Sequence, residues 1–507
     1  MRTKRSIYNL IFNVFNVVVT FALGIIIPRL FLVSLGSEAN GLVASVGQVF
    51  SYVGLMEAGI GATAIQALYK PIAEEDRLQI NRILSASNRY YRKIGVIYIG
   101  CVFLVALFYP CIVQSSLPTW QVVGVVLFSG LGNAINFLLQ QNYVVLLAAE
   151  GRGYVTTNLN LIINVLVSVT KAILLLNGFN VVYIVGAQFV LTLLRILLLR
   201  FYMGKQYKWV DTSVEPDHSA LSKQRYVMAQ QISYFVYSNT DIFLLTVFCD
   251  LKVVSVYTVY NMVIGMIESI VGTITTSFAF ALGQLYSVDF QKFKKIYKIY
   301  DSVYMTLVFA LFTVVYLCII PFLSLYTRGI RDTNYLDYKL ALLFVVLKMV
   351  TTLRSQSQNA VNFAGHFKET EKMAIIETVS NLAVSMILVF FIGIYGVVIG
   401  SIVSTFYRGI AVTNYVNRII LKDDKKKSIV KYLRWTVYLW AFVFSCFLAK
   451  AVIPASVTSY WEWMKLAVLC TLCSMGMYGI LWMLLDWTVA KETIAMVRNL
   501  LRRNRAG

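Results

Sequence analysis

The sequence predicts an all-α polytopic membrane protein: about fourteen transmembrane helices in two six-helix lobes plus two C-terminal helices, with both termini cytoplasmic. Three observations predict it. Apolar segments of about 20 residues or more, each long enough to cross the hydrocarbon of a bilayer, follow one another nearly end to end. Strongly basic loops alternate with nearly uncharged ones, the pattern expected of a chain that repeatedly crosses a membrane. A stretch in the first half returns 211 residues later. Composition agrees, since 59% of the 507 residues are hydrophobic and 14% charged, too apolar for a string of soluble domains.

In chain order the spans are 7–32, 40–68, 94–114, 119–148, 155–177, 181–202, 226–249, 253–285, 299–325, 336–362, 372–393, 396–420, 435–453 and 464–486. The first run, from Ile7 to about Phe31, is too long for the core of a signal peptide and lacks a cleavage-type ending. Several spans exceed the minimum, which implies tilt or helical extension beyond the bilayer. The basic loops are the N-terminal tail, 69–93, 203–225, 288–298, 421–434 and the tail after Trp487. Between them lie QSSLPTW, NGFN and GIYG, and only the loop with Arg328, Arg331 and Lys339 is noticeably basic. The net charge of +21 therefore reads as cytoplasmic loops and not as a nucleic-acid surface. Trp461 and Trp463 on one side, and Trp435 and Trp487 on the other, suit interfacial aromatic belts.

The organisation that follows is a first lobe 1–202, a linker 203–225, a second lobe 226–420, a basic loop 421–434, two helices in 435–487 and a basic tail 488–507. Loop 69–93 carries Leu78, Ile80, Ile83 and Leu84 among charges, either an amphipathic helix on the inner leaflet or a solvated extension of the second span. Seven cysteines lie mostly in or beside spans, and Cys470 and Cys473 form a CxxC inside one, where packing explains them better than metal or redox chemistry.

The repeat centres on a carboxylate. Glu57 sits in GLMEAGIG and Glu268 in GMIESIVG, so that Gly54, Glu57 and Gly61 match Gly265, Glu268 and Gly272 at one offset of 211, which Pro110 and Pro321 share. Further on, Gln141 and Asn142 match Gln358 and Asn359, and Asn164 matches Asn381, at an offset of 217. The loop around Arg328 to Asp337 accounts for the added residues. Spans one to six thus resemble spans seven to twelve, a parallel repeat about an axis along the membrane normal. Glycines beside each acid are expected to let neighbouring helices approach closely.

Ionisable residues inside spans are costly, at least about 2.5 kcal/mol each on insertion scales, and mark function or pairing. Arg29, Lys171, Lys348, Arg354 and Arg408 face three carboxylates, Glu57, Asp241 and Glu268. The tenth span adds a polar face of Lys348, Thr351, Arg354, Ser355, Gln358, Asn359 and Asn362 at helical spacing, which cannot point at lipid. Structural ion pairing is one reading of these charges. The two surplus cations favour a second, a cationic cavity for an anionic cargo, because guanidinium and ammonium groups hold phosphate well. The polar lining would be Gln141, Asn142, Gln358 and Asn359; Glu57, Asp241 and Glu268 would either bind a coupling H+ or Na+ or pair with the cations. Pro28 inside the first span is a candidate hinge, whereas Pro110 and Pro321 read as helix ends. No GxxxxGK[ST] loop and no long loop able to fold as a catalytic domain occur, so neither an ATP-driven motor of that class nor a membrane polymerase or glycosyltransferase is expected. With only His218 and His366, a histidine-rich metal site is excluded, and no cofactor is expected.

LGSEANGL (Leu35–Leu42), GLMEAGIG and LYKPIAEED in the first half, with NTDIFLLT from Asn239 and VSVYTVYNM from Val254 in the second, resemble the bacterial polysaccharide flippases. These are the Wzx-type polysaccharide transporters of the multidrug/oligosaccharidyl-lipid/polysaccharide exporter superfamily. The resemblance covers the whole chain and rests on packing-rich motifs. It implies a V-shaped pair of lobes around a cationic cavity, working by alternating access in the bacterial cytoplasmic membrane. The implied cargo is an undecaprenyl-pyrophosphate-linked oligosaccharide for O-antigen, capsule or exopolysaccharide assembly, with a polysaccharide polymerase and chain-length machinery as partners. The alternative is a cation-coupled multidrug exporter of the related extrusion family.

Overall fold

In a computed structural model of the chain, the backbone is described for residues 2–57, 60–113, 115–150, 152–217, 235, 239–423, 425–454 and 456–495. Side chains are described from residue 23 onward, apart from short stretches within 62–73, 273–287, 367–368, 425–431 and 449–452. Helix is the only regular structure among the described residues, as hydrocarbon demands of a backbone that must satisfy its own polar groups. The helices are α1 (Arg2–Gly54), α2 (Ile60–Ala73), α3 (Arg77–Ile112), α4 (Thr119–Leu139), α5 (Gln141–Ala149), α6 (Gly153–Leu176) and α7 (Val181–Gln206). They continue as α8 (Asn239–Phe248), α9 (Leu251–Val288), α10 (Phe290–Tyr326), α11 (Tyr338–Ala364), α12 (Phe367–Ile392), α13 (Ile394–Tyr415), α14 (Lys425–Val452) and α15 (Tyr460–Leu485). Among the described residues, eleven helical segments are long and apolar enough to cross a membrane, and α8 and Tyr432–Leu448 are shorter apolar helices. The chain is a multi-pass membrane protein. The seventh predicted span lies mostly outside the described residues.

Helix starts carry the expected side-chain caps. Asp76 accepts from Gln79 N at 3.0 Å, Asn180 from Val182 N at 3.1 Å, Asp289 from Lys292 N at 3.0 Å and Asp337 from Lys339 N at 2.8 Å.

Two compact units form, Met1–Val256 with Gly329–Thr333, and Tyr257–Arg328 with Asn334–Gly507. Their border lies past the expected linker. Residues 251–256 stay with the first unit because they pack on α1: Asn40 Nδ2 donates to Ser255 Oγ at 2.8 Å, and Gly41 lies against the Leu251 carbonyl so closely that any Cβ would collide with it.

In the first unit α3 packs on α4, α4 on α7 and α6 on α7. The core includes Leu42, Val46, Phe50, Tyr98, Val102, Val125 and Ile184. α1 breaks at Gly36, whose φ of 81° and ψ of 175° are non-helical and cost a glycine little. The resulting helix start is capped by Asp332, which accepts from Ser37 N at 2.7 Å and Ser37 Oγ at 2.8 Å. Residues 69–93 are not a surface helix. α2 runs to Ala73 and α3 begins at Arg77, so the segment is mainly an extension of the third span. Ile80, Ile83 and Leu84 are buried in the protein while Leu78 is exposed. Its polar side grips the chain after α7, with Asn81 Nδ2 on Trp209 O at 3.1 Å and Ser85 Oγ on Val214 O at 2.7 Å.

In the second unit α10 packs on α11, α11 on α13 and α12 on α13, the same pairs one repeat later. Pro321 lies five residues before the end of α10, and Pro110 two before the end of α3. α15 lies along α10 through one stripe at four-residue spacing: Ser474 Oγ on Ala310 O at 2.9 Å, Tyr478 OH with Thr313 Oγ1 at 3.0 Å and Trp482 Nε1 on Ser302 Oγ at 3.0 Å. Cys470 is buried on that stripe and Cys473 is exposed. Asp423, just past α13, takes Lys298 Nζ at 2.7 Å and Lys294 Nζ at 3.1 Å. Burial acts to raise the Asp423 pKa, but the hydrogen bonds and charges of the two lysines outweigh it and hold it below the ordinary carboxylate value. Stability from a depressed carboxyl is present above the unfolded pKa and is lost only as pH falls through the folded one.

Asp423→Asn should therefore lower the thermal midpoint of the detergent-solubilised protein at neutral pH by about 2–4 °C, the equivalent of about 1 kcal/mol in a unit of this size. Glu492→Gln should leave it unchanged, because its partner Lys295, 3.3 Å away, is 64% exposed and such pairs contribute little. Equal midpoints for Asp423→Asn and wild type would contradict the clamp.

Candidate functional site

The residues singled out from the sequence fall into two groups, one in each unit. In the second unit, Glu268 on α9 meets Lys348 on α11 at 3.0 Å, with both side chains partly exposed. Two turns along α11, Arg354 forms an ion pair with Glu377 on α12. Arg408 on α13 lies 3.9 Å from the other oxygen of the same carboxylate. All three side chains of this triad are buried or nearly so, at 16%, 7% and 8% exposure. Arg408 also donates to the Thr370 carbonyl at 3.0 Å and to Gln358 Oε1 at 3.3 Å. Gln358 is thus brought into the cluster, whereas Asn359 beside it is half-buried on α11.

Glu377 changes the charge reckoning. It stands inside the eleventh span, in AIIETVSN, and was not among the three embedded carboxylates. Its position four residues before Asn381, one helical turn, was the available signal. With it counted, Lys348, Arg354 and Arg408 pair with Glu268 and Glu377, three cations on two carboxylates in the ion pairs among the described residues. Structural pairing therefore accounts for more of the charge than the sequence reading allowed.

In the first unit, Glu57 sits in a short 3₁₀ turn, Leu55–Glu57, that interrupts the helix. Its partner is not a cation. Gln141 Nε2 donates to the Glu57 carboxylate, and Gln141 itself opens α5 at a second interruption, where Gln140 separates α4 from α5. Tyr91, fully buried, adds its hydroxyl nearby: a Cβ on Gly61 would lie 3.4 Å from Tyr91 OH and 3.8 Å from Glu57 Oε1. Such a Cβ would be in ordinary van der Waals contact with both groups. Close helix approach is not the general role of the repeat's glycines, because a Cβ at Gly54, Gly265 or Gly272 would meet nothing within 4 Å. Asn142 is buried with its Oδ1 unbonded among the described residues.

Lys171 is half-buried on α6 with no hydrogen bond or ion pair among the described residues. Arg29 is half-buried on α1 after Pro28, and Asp241 is buried on α8 beside Thr240. A further cation went unnoticed in the sequence. Arg195, in the middle of the sixth span, donates to Asn136 Oδ1 at 2.6 Å and Asn160 Oδ1 at 3.0 Å, so its hydrogen-bond partners among the described residues are neutral. A lone arginine in TLLRILLL was legible.

No protein-family model matches the sequence, and no curated protein matches it. Solved structures do. The chain is similar to "Lipid II flippase MurJ, inward closed conformation" with a TM-score of 0.69, 13% identity and coverage of 93% of this chain and 99% of that one. It is similar to an inward-facing multidrug resistance MATE family transporter of the MOP superfamily with a TM-score of 0.65, 16% identity and coverage of 79% and 94%. An outward-facing MATE family transporter gives a TM-score of 0.51, 17% identity and coverage of 80% and 94%. The chain has the fold of these membrane transporters.

Removing one partner of a buried pair costs about 3–5 kcal/mol, whereas replacing the whole set by apolar groups is often neutral. Glu377→Gln should thus sharply reduce folded protein in the membrane, and Arg354→Met/Glu377→Leu/Arg408→Met should restore it, read by size-exclusion of detergent extracts. If Glu377→Gln extracts like wild type, the carboxylate does not hold the two arginines.

Proposed function

We propose that this chain is a flippase that moves undecaprenyl-pyrophosphate-linked oligosaccharide repeat units across the bacterial cytoplasmic membrane by alternating access, for O-antigen, capsule or exopolysaccharide assembly. The observation that carries the proposal is the cation-rich cluster on α11 and α13, where Lys348, Arg354 and Arg408 outnumber Glu268 and Glu377. A pyrophosphate is the anion such a cluster suits, since arginine offers a planar donor fork and lysine a mobile point charge. Lys348 is the most accessible of the three and would meet the cargo first. The buried triad would set the potential behind it. Lys171 and Arg195 in the first unit add cations without hydrogen-bonded acids.

The extent of the structural likeness supports a lipid-linked cargo over a soluble drug. The MurJ likeness leaves about 7% of this chain unmatched, too little to exclude the 28 residues of α14 and the 26 of α15 together. The MATE likeness leaves about a fifth, enough for both. In this reading Glu57, held by a neutral amide and not by a cation, is the group best placed to take up a coupling proton or Na+. Asp241 and Glu268 remain the other acids of that set, with Glu268 engaged by Lys348. A polysaccharide polymerase and chain-length machinery would take the product at the outer leaflet.

The test is flipping in proteoliposomes loaded with a defined undecaprenyl-pyrophosphate-linked oligosaccharide. Lys348→Ala should reduce the rate at least tenfold at unchanged reconstitution, and cells carrying it should lose surface polysaccharide with normal membrane levels of protein. Undiminished polysaccharide would sink the cationic-cluster assignment, and export of cationic dyes in place of lipid-linked sugar would move the chain to the multidrug reading. For the coupling role, Glu57→Gln should slow transport more than Met56→Leu next to it. Equal effects would assign Glu57 to packing.

A further inference from the structure

A pocket of about 390 Å³ opens at the end of α7, lined by Tyr143, Arg200, Gly204, Tyr207, Lys208 and their neighbours. It lies apart from the clusters described above and does not depend on the proposed transport activity. Its charges are of one sign. Arg200 and Lys208 are both exposed and have no hydrogen bond or ion pair among the described residues. The nearest acid, Glu150, is already engaged, taking the Tyr207 hydroxyl at 2.5 Å and lying 3.7 Å from Arg152. Tyr207 also receives Arg152 Nη1 at 3.2 Å, so one wall of the pocket is fixed by a complete network while the two cations are left to a ligand.

The approach to the pocket is apolar. Val190, Leu194, Leu197 and Phe201 are exposed, at 60%, 40%, 63% and 74%, and their spacing of four, three and four residues sets them on one face of α7. One turn beyond Leu197 and Phe201 on that face is Gly204, where a Cβ would meet nothing within 4 Å. Arg200 flanks the same stripe, and the helix ends at Gln206 with Lys208 following. A lipid-facing stripe that runs into a mouth without a side chain and ends at two unpaired cations matches a molecule with acyl chains and an anionic head. Basic pockets at the polar end of membrane helices bind such head groups. Long apolar contact along α7 would add nothing for a free phosphate or a soluble anion.

We infer that this pocket binds the head group of an anionic phospholipid of the surrounding membrane, with Arg200 and Lys208 on its phosphate and the acyl chains along Val190, Leu194, Leu197 and Phe201. Tyr143, on the first turn of α5, would close the far side of the head group, so that an annular lipid is tied to the helix that begins next to the Glu57–Gln141 contact.

The full-length protein in phosphatidylcholine nanodiscs would be titrated with phosphatidylglycerol and read by native mass spectrometry, alongside three variants. Arg200→Ala/Lys208→Ala should weaken phosphatidylglycerol retention at least fivefold, whereas Arg82→Ala/Arg89→Ala, the same loss of charge from another exposed basic stretch, should change it less than twofold. Gly204→Leu adds bulk at the mouth without altering charge, at a position where its Cβ meets nothing within 4 Å, so it should also weaken retention at least fivefold. Millimolar inorganic phosphate should not displace the lipid. Retention unchanged in both pocket variants, or lost equally in the Arg82/Arg89 control, would overturn the site. Weakening by the charge variant alone, together with displacement by inorganic phosphate, would overturn the lipid in favour of a soluble anion.

Discussion

A charge taken out of water has to be met by an opposite charge or a dense set of hydrogen bonds, and in this protein that constraint concentrates on Glu377. One carboxylate binds Arg354 from one helix and Arg408 from another. The second guanidinium is further satisfied by a helix carbonyl and an amide. Three helices, α11, α12 and α13, are thereby locked by a single side chain. Two guanidinium groups share the one carboxylate, and in the proposed reading an anionic cargo would meet that difference.

The two halves solve the same problem differently. At the offset of 217 that relates Asn164 to Asn381, Glu377 corresponds to Asn160. Both side chains bind an arginine of the following helix: Glu377 binds Arg408, and Asn160 binds Arg195, one turn away from the equivalent position. Geometry is shared and charge is not. At the other end of the repeat, Glu268 lies within the unbroken helix α9 and is met by Lys348. Glu57 lies at a helix interruption and is met by the amide of Gln141, at another. The first half thus holds a cation on neutral amides and an acid on a neutral amide, while the second half pairs acid with base. A group held by neutral partners keeps its charge available for exchange; a group in an ion pair does not.

Much of this was legible in the sequence. The helical membrane fold followed from apolar length and loop charge because hydrocarbon admits almost nothing else. Lys348, Arg354 and Gln358 were found by their spacing on one helix face. What escaped was whatever depended on a partner from a distant helix. Glu377 does not stand out within the eleventh span, and its weight comes from Arg354 and Arg408 on other helices. The glycines flanking Glu57 and Glu268 suggest close helix contact, yet among the described ones a Cβ at Gly61 would stand only in ordinary contact with Tyr91 and Glu57, and one at Gly54, Gly265 or Gly272 would meet nothing within 4 Å. The segment 69–93 shows the same limit. Its apolar residues have the right period for a helix on a membrane, but Ile80, Ile83 and Leu84 are buried in a core with Leu68 of α2, Leu146 of α5 and Leu199 of α7, while its polar side holds the chain after α7.

The change of offset from 211 to 217 is itself explained by the fold. The added residues lie in the loop between α10 and α11, and part of that loop, Gly329–Thr333, belongs to the first unit. There Asp332 caps the helix that restarts at Ser37 after the Gly36 break. The equivalent loop of the first half, between α3 and α4, serves the next residue: Ser115 and Ser116 hold Glu38. Two repeat-related loops therefore grip adjacent residues of one helix break, one supplying the acid and the other receiving it. The motif LGSEANGL is the readable trace of that grip. Gly36 supplies the left-handed turn, Ser37 and Glu38 meet the two loops, and Asn40 and Gly41 fasten the start of α9. The break is therefore held from both sides by side-chain hydrogen bonds as well as by the burial of Leu32, Ala39 and Leu42 around it.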